Sequence, residues 1–260
     1  MAMQLDSPRP QAHRPAHRRA RRRRRRWLLR VAVVIVSALT LVAGFFSVLF
    51  VTTPSVRNAP TLVAGILAAH HDPSDHGVVP SKVAAALLAT EDSRFYSDPA
   101  VDLQGTVRAM WGLVTQNPNL GGATLEVQLA KLLYTPDQSA PLALAKQVVL
   151  AVKLDQAFTK HQILAMYLDA VYFGDGAYGI TAAAQHYFGR SPEALSWAQA
   201  TLLAGLVQAP TAYNPHHHLH LALLRRDHVL ERMVAVGDLT PAQVAAVRTQ
   251  PLDPAIPFSG

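Results

Sequence analysis

An all-α domain behind a single N-terminal membrane-spanning helix is the fold class this 260-residue sequence predicts, and three observations predict it. A run of 23 uncharged residues, Val31 to Thr53, follows directly on a block of arginines. Beyond it, apolar residues recur at helical spacing between recognisable caps. Segments that alternate apolar and polar residues are few, and Val and Ile rarely cluster outside the first run.

Each element follows in chain order. Residues 1–30 hold eleven arginines, Arg21 through Arg26 among them, against one acid, Asp6, so this segment carries +10 while the other 230 residues carry −3. An arginine block can bind nucleic acid. Here it abuts an apolar run that would span about 34 Å as a helix, enough for a bilayer core. A basic flank beside such a run is the positive-inside pattern, and Trp27 stands at the boundary where indoles prefer the headgroups. The expectation is a cytoplasmic segment 1–30, within reach of anionic lipid, then a transmembrane helix 31–53 crossing the cell membrane once. Everything beyond would be extracytoplasmic, with no nucleic-acid partner. A cleaved signal peptide is the alternative, although Val48–Thr53 offers no clear small-x-small site.

Residues 54–80, with Pro54, Pro60, Pro73 and Pro80, read as a stalk holding one short helix around Thr61–Ala69. The main domain is expected over 81–235 and a C-terminal helix with tail over 236–260. Pro80 and Ser81 open a helix whose stripe of Val83, Leu87 and Leu88 runs up to Glu91. Leu142 to Phe158 is a long helical pattern. Thr159 with Gln162 forms a capping box, Ser191-Pro192-Glu193 opens a helix through Leu206, and Thr240 with Gln243 opens a short last one. There are no cysteines, which excludes disulfides, thiolate catalysis and cysteine zinc sites.

Several motifs mislead. Gly174-Asp-Gly176-Ala-Tyr-Gly179 matches a dinucleotide fingerprint, but that motif needs a strand before it and an acid about 20 residues on. These glycines more naturally let a loop turn against other backbone. His216, His217, His218 and His220 follow Asn214-Pro215 and read as a solvated loop without a carboxylate at ligand spacing; His70, His71 and His76 read the same way. No GxSxG, HExxH or SxxK–KTG set is present.

Two weak signals remain. Glu91 ends an apolar helix, and a carboxylate on a core-facing stripe is partly desolvated, which suits it to proton transfer. Some thirty residues on, Gly121-Gly-Ala-Thr124-Leu-Glu-Val-Gln128-Leu-Ala-Lys131 feeds glycines into a helix with a lysine one turn inside, a natural site for a phosphate-bearing ligand.

Together these residues resemble the family 51 glycosyltransferases, the peptidoglycan polymerases that link lipid II units. Glu91-Asp92-Ser-Arg-Phe95-Tyr96 with Asp102 and Arg108 is similar to the family's first motif, and Gly121–Lys131 to its second. Thr159–Leu168, Val171-Tyr172-Phe173-Gly174 through Tyr178-Gly179-Ile, Ala182–Ala184 and Tyr187-Phe188-Gly189 are very close to the fourth. Leu202-Leu-Ala-Gly205 through Pro210, with Tyr213-Asn214-Pro215, is close to the fifth. The resemblance runs from about Ser81 to Met233. It implies a lysozyme-like helical fold on the outer membrane face and an inverting transfer: Glu91 deprotonates the acceptor 4-hydroxyl, that oxygen attacks C1 of the donor sugar, and undecaprenyl diphosphate leaves.

The resemblance assigns Glu91 and the position of Gln147 to catalysis. It assigns Asp92, Phe95, Arg108, Gly122, Thr124, Gln128, Lys131, Lys160, Tyr172 and Tyr178 to the substrate, with no protein metal ligands. Arg108, Lys131 and Lys160, or a divalent cation (Mg²⁺ or Mn²⁺), would meet the departing diphosphate. The segment Val107–Val114, with Met110 and Trp111, would lie where the lipid tail enters. Partners would be lipid II, the growing strand, the membrane and cell-wall synthesis proteins.

This sequence departs from the family at the third motif, where two cations and a glutamate are replaced by Ala143, Leu144 and Gln147. Ala123, Glu126, Val127 and Leu132 depart within the second, Asp98 and Ala100 within the first, and Gln199 stands for the fifth motif's acid. Glu126 would put a negative charge where a diphosphate is expected. A relative that binds lipid-linked glycan or synthesis partners without polymerising is therefore the alternative, and a glycan hydrolase the third reading.

Overall fold

The computed structural model describes the backbone from Ala16 and side chains from Arg26, apart from residues 71–76, 101–122, 137, 139 and 259–260. Helix α1 is Ala16–Thr52. Its stretch Arg26–Thr52, 27 residues, is long and apolar enough to cross a membrane, rising about 40 Å. Leu39, Leu41 and Val42 face outward. Thr40 and Ser47 donate back to the carbonyls of Val36 and Ala43 at 2.9 and 2.8 Å, so these hydroxyls are satisfied within the helix, as an apolar solvent requires. The chain divides into two units, Met1–Val48 and Leu49–Gly260.

The second unit begins inside the last turn of α1. It continues through α2 (Ala59–Ala69), α3 (Ser81–Glu91), α4 (Leu125–Tyr134), α5 (Pro141–Ala157) and α6 (Lys160–Ala170). A two-stranded hairpin follows, β1 (Tyr172–Gly174) with β2 (Ala177–Tyr178), then α7 (Ile180–Phe188), α8 (Trp197–Leu206), α9 (Pro215–Val236) and α10 (Pro241–Arg248). The all-α expectation holds, with the hairpin as its small addition. One core cluster unites these helices: α3 packs on α8 and α9, α4 on α5 and α6, and α2 on α6.

The stalk expected over 54–80 is corrected. Within it α2 buries Ala59, Val63 and Leu67, one helical stripe, in the same core as α3. Pro60 sits in the first turn of α2, where a missing N–H costs nothing. In the C-terminal segment Leu239, Val244 and Val247 join that core as well. Gln199 donates to Leu252 O at 2.7 Å and Ala255 N–H to Tyr187 O at 2.9 Å.

The capping boxes of α6 and α10 form as expected. The helix expected from Ser191 to Leu206 is instead a 3-10 turn, Pro192–Ala194, followed by α8. Leu195 and Ser196 are extended, and Ser196 forms its own capping box with Gln199. That reciprocal cap satisfies two helix-end groups, which an uninterrupted helix from Ser191 would not offer.

The glycine motif lies in the hairpin. Gly174, Asp175, Gly176 and Gly179 all have positive φ. A Cβ on Gly174 would lie 2.9 Å from the Tyr187 hydroxyl and 3.1 Å from Pro210 O. The chain turns tightly against other backbone there, and β1 and β2 pair antiparallel as a hairpin, where a dinucleotide site is built on a parallel strand–helix–strand unit.

Candidate active site

Glu91 is the last residue of α3, and its side chain is 17% exposed. Among the described residues, two groups face its carboxylate. The Gln128 amide on α4 donates to Oε2 at 3.4 Å, and the Arg225 guanidinium on α9 lies 3.4 Å from Oε1. The Gln128 amide is oriented in turn, since the Tyr167 hydroxyl on α6 donates to Gln128 Oε1 at 2.8 Å. With Oε1 taken as acceptor, the NH₂ group must point toward Glu91 and Ala123 O. Burial pushes the Tyr167 hydroxyl far up, and the Glu91 charge adds to it, so it remains a donor.

Arg225 reaches Glu91 because α8 lets α9 approach. Gly205 would place a Cβ 3.0 Å from Arg225 Cγ and 3.6 Å from backbone atoms of Arg225 and Arg226. The Arg225 Nε–H donates to Gly205 O at 3.4 Å, and the guanidinium lies 6.0 Å over the Tyr213 ring. Burial pulls Arg225 below its ordinary value while the Glu91 charge acts the other way. Sequence reasoning missed this arginine. Gly205 belongs to the stretch that resembles the fifth motif, but nothing in the sequence of α9 says which face meets α3.

Asp92 does not join Glu91. Its Oδ2 accepts the N–H of Leu125 at 3.1 Å, capping the N-terminus of α4, where a helix dipole favours an anion. Burial pushes its carboxyl up, opposed by the Leu125 N–H and the Lys160 charge. Thr124 caps the same helix by accepting from Val127 N–H, and its hydroxyl donates to Ala100 O at 2.6 Å. Two N–H groups expected to face a phosphate are thus capped by the protein itself. Gly122, Arg108, Asp102, Gly121 and the segment Val107–Val114 lie outside the described residues.

The largest departure concerns Glu126 and Lys160. Glu126 is 1% exposed, and its Oε1 lies 2.5 Å from Lys160 Nζ. Lys160 also contacts Asp155 at 3.1 Å and donates to Asp98 O at 3.0 Å, which occupies all three of its N–H bonds. Burial works to pull the ammonium down, but Glu126 and Asp155 outweigh it and hold Lys160 above its ordinary value. Glu126 faces Lys160 from within the core, and the expected penalty against a diphosphate is corrected to an internal ion pair. Lys160 serves as a tie between α4, α5 and α6, over the Phe95 ring at 5.0 Å. Phe95 itself is a core residue, 2% exposed.

Gln147 is buried on α5 and donates to the Thr135 hydroxyl at 2.8 Å; among the described residues it is not part of the Glu91 group. Lys131 is exposed in the last turn of α4, one turn beyond Gln128 on that face. Tyr172 and Tyr178 stand with ring centroids 4.7 Å apart, and His70 stacks on Tyr178 at 3.6 Å. As a protein site for Mg²⁺ or Mn²⁺ the Glu91 group fits poorly. Among the described residues its one carboxylate already faces an amide and a guanidinium, where such ions prefer several unhindered oxygens.

With this geometry in view, comparison with known proteins is decisive at the level of family. Residues 61–234 match the family described as Transglycosylase. The chain belongs to the transglycosylase family. It is 40% identical over 179 residues to penicillin-binding protein 1A of Aquifex aeolicus, covering 67% of this chain and 24% of that protein. Against penicillin-binding protein 1A of Escherichia coli it is 36% identical over 187 residues, 70% of this chain and 22% of that one. A Cupriavidus necator protein whose name is that of a transglycosylase is 32% identical over 198 residues, 75% of this chain and 85% of its own length. The crystal structure of penicillin-binding protein 1A from Haemophilus influenzae matches 70% of this chain and 18% of its own, at 24% identity and a TM-score of 0.43. The chain spans about a quarter of the length of the penicillin-binding proteins it matches.

Proposed function

We propose that this chain is a peptidoglycan glycosyltransferase that polymerises lipid II into β-1,4-linked glycan strands, with Glu91 as its general base. The observation that carries the reading is the Glu91 carboxylate, partly exposed at the end of α3 and held between Gln128 and Arg225. Glu91 takes the proton of the acceptor 4-hydroxyl, the oxygen forms its bond to C1 of the donor with inversion, and the C1–O bond to undecaprenyl diphosphate breaks. Gln128 and Arg225 fix the base, which counts because about 1 Å of misplacement can cost roughly 100-fold. Lys131 and Arg108 are the cations left for the leaving diphosphate, since Lys160 is engaged by Glu126 and Asp155. The arginine-rich segment stays cytoplasmic, α1 anchors the chain in the cell membrane, and the domain works on the outer side, in reach of cell-wall synthesis partners.

One observation favours a second reading, a relative that binds lipid-linked glycan without polymerising it. Gln147, at the position where the resemblance implies a glutamate, is neutral and buried against Thr135. A polymerisation assay on the full chain in detergent, with labelled lipid II and Mg²⁺ or Mn²⁺, separates the two. The first reading expects strands from the natural protein and about a 10²–10⁴-fold loss in Glu91→Gln. Strands from both proteins would remove Glu91 as base. No strands from either, with lipid II still bound and activity appearing only in Gln147→Glu, would establish the second reading.

A further inference from the structure

A second polar group stands on the hairpin, α7 and the start of α9. The Oδ2 atom of Asp175 lies 2.6 Å from His216 Nδ1 and 3.4 Å from His186 Nε2. One ligand atom from each of the three lies within 4.8 Å of the others. The expectation that His216 is a solvated loop residue is corrected, since its side chain is 14% exposed and its carboxylate partner stands 41 residues upstream. His217, His218 and His220 are exposed.

We propose that Asp175, His186 and His216 form a binding site for one Zn²⁺ ion. The donor set decides the class: two imidazole nitrogens and one carboxylate oxygen suit Zn²⁺, whereas Mg²⁺ and Ca²⁺ demand oxygens. Zinc holds such atoms at about 2.0–2.2 Å, so tetrahedral ligand atoms stand roughly 3.3 Å apart. The His186–Asp175 separation already matches, and the His216–Asp175 separation needs to open by less than about 1 Å.

The surroundings prepare the group. The Asn214 amide donates to Asp175 Oδ1 at 2.5 Å, which fixes the carboxylate and leaves Oδ2 to the two rings. Asn214 Oδ1 accepts from His216 N–H at 2.9 Å. A ligand carboxylate or imidazole held this way is the supporting arrangement metal sites use. His216 Nε2 is buried with no hydrogen-bond partner among the described residues, so the ring is held through Nδ1, the atom facing Asp175. Asp175 has φ +49 between Gly174 and Gly176, a left-handed conformation that non-glycine residues keep where their surroundings demand it. The fourth position falls to water or to exposed His217, whose Nε2 is 3.8 Å from Asp175 Oδ1. The ion would tie the hairpin, α7 and α9 together, and none of this rests on the role of Glu91.

The test is calorimetric titration of the full chain in detergent, stripped with a chelator, using ZnCl₂. One ion per chain is expected, unaffected by excess Mg²⁺, with binding weakened at least about tenfold in His186→Ala and in His216→Ala. His161→Ala, an exposed histidine on α6, leaves it unchanged. Zn²⁺ raises the melting temperature of the natural chain and of His161→Ala but not of the two site variants. Should His216→Ala fail to fold, His186→Ala decides, since that ring is one-third exposed and its removal leaves the core intact. Absence of stoichiometric binding, or equal binding by His186→Ala, overturns the site.

Discussion

Replacing Lys160 by Met leaves the Glu126 carboxylate at 1% exposure with no cation beside it. At 2.5 Å the pair attracts by about 7 kcal/mol for an effective dielectric near 20. That figure is gross, because both ions were taken out of water to make the pair. The net loss on removing one partner of a buried pair is about 3–5 kcal/mol. At roughly 2–4 °C per kcal/mol for a domain of this size, the melting temperature of Lys160→Met falls by about 6–20 °C. Glu126→Gln is far milder, since Lys160 keeps Asp155 and Asp98 O and the buried charge is gone. The double variant recovers most of the loss, because a neutral pair suits the same cavity. Circular-dichroism melting of the four proteins in one detergent measures all of this. The reasoning is refuted if Lys160→Met costs under about 1 kcal/mol, or if adding Glu126→Gln restores nothing. A Glu126 turned toward a diphosphate would behave otherwise: Glu126→Gln would tighten lipid II binding, and Lys160→Met would leave stability alone.

Three further outcomes follow from the same geometry. Gly174→Ala forces a Cβ to 2.9 Å from the Tyr187 hydroxyl at φ +98, and overpacking and backbone strain cost about 1–3 kcal/mol each, read as a fall in denaturant midpoint at unchanged slope. Arg225→Gln lowers the polymerisation rate about 100-fold while moving the melting temperature little, and an unchanged rate would show that Glu91 needs no guanidinium. Asp92 has a carboxyl raised by burial, so its ionised form is a cost to the fold above the raised value and none below the ordinary value of about 3.9. Asp92→Asn, which keeps an acceptor for the Leu125 N–H, is therefore more stable than the natural chain at pH 7, an advantage that shrinks to nothing as pH falls below 4; equal melting curves at pH 7 would contradict it.

The helices were legible wherever a cap and an apolar stripe agreed. Thr159 with Gln162 and Thr240 with Gln243 gave boundaries that the structure keeps. The boundaries are less legible where two local signals compete, as at Ser191 and Ser196, and where proline-rich composition suits both a stalk and a buried helix. Pro60 is as much at home in the first turn of α2 as in a linker. Composition does not tell the two apart, whereas the stripe of Val63 and Leu67 does.

The site was legible as a set of residues but not as a set of directions. Glu91, Gln128 and the fourth-motif tyrosines are named by the family resemblance, yet Glu126, one residue from Val127 and two from Gln128, points the opposite way. Successive helix positions differ by about 100°, so neighbours in a motif need not share a ligand. With Gln128 on the Glu91 side of α4, Glu126 is turned roughly 200° from it, toward α6 and Lys160. Arg225 shows the converse, since it lies 134 residues from Glu91 and carries no motif signal. What brings it there is Gly205, a residue that acts by leaving space for α9. Charges that a sequence places near a site are thus sorted by the packing of helices, and in this fold the sorting gives Lys160 to the core and Arg225 to the base.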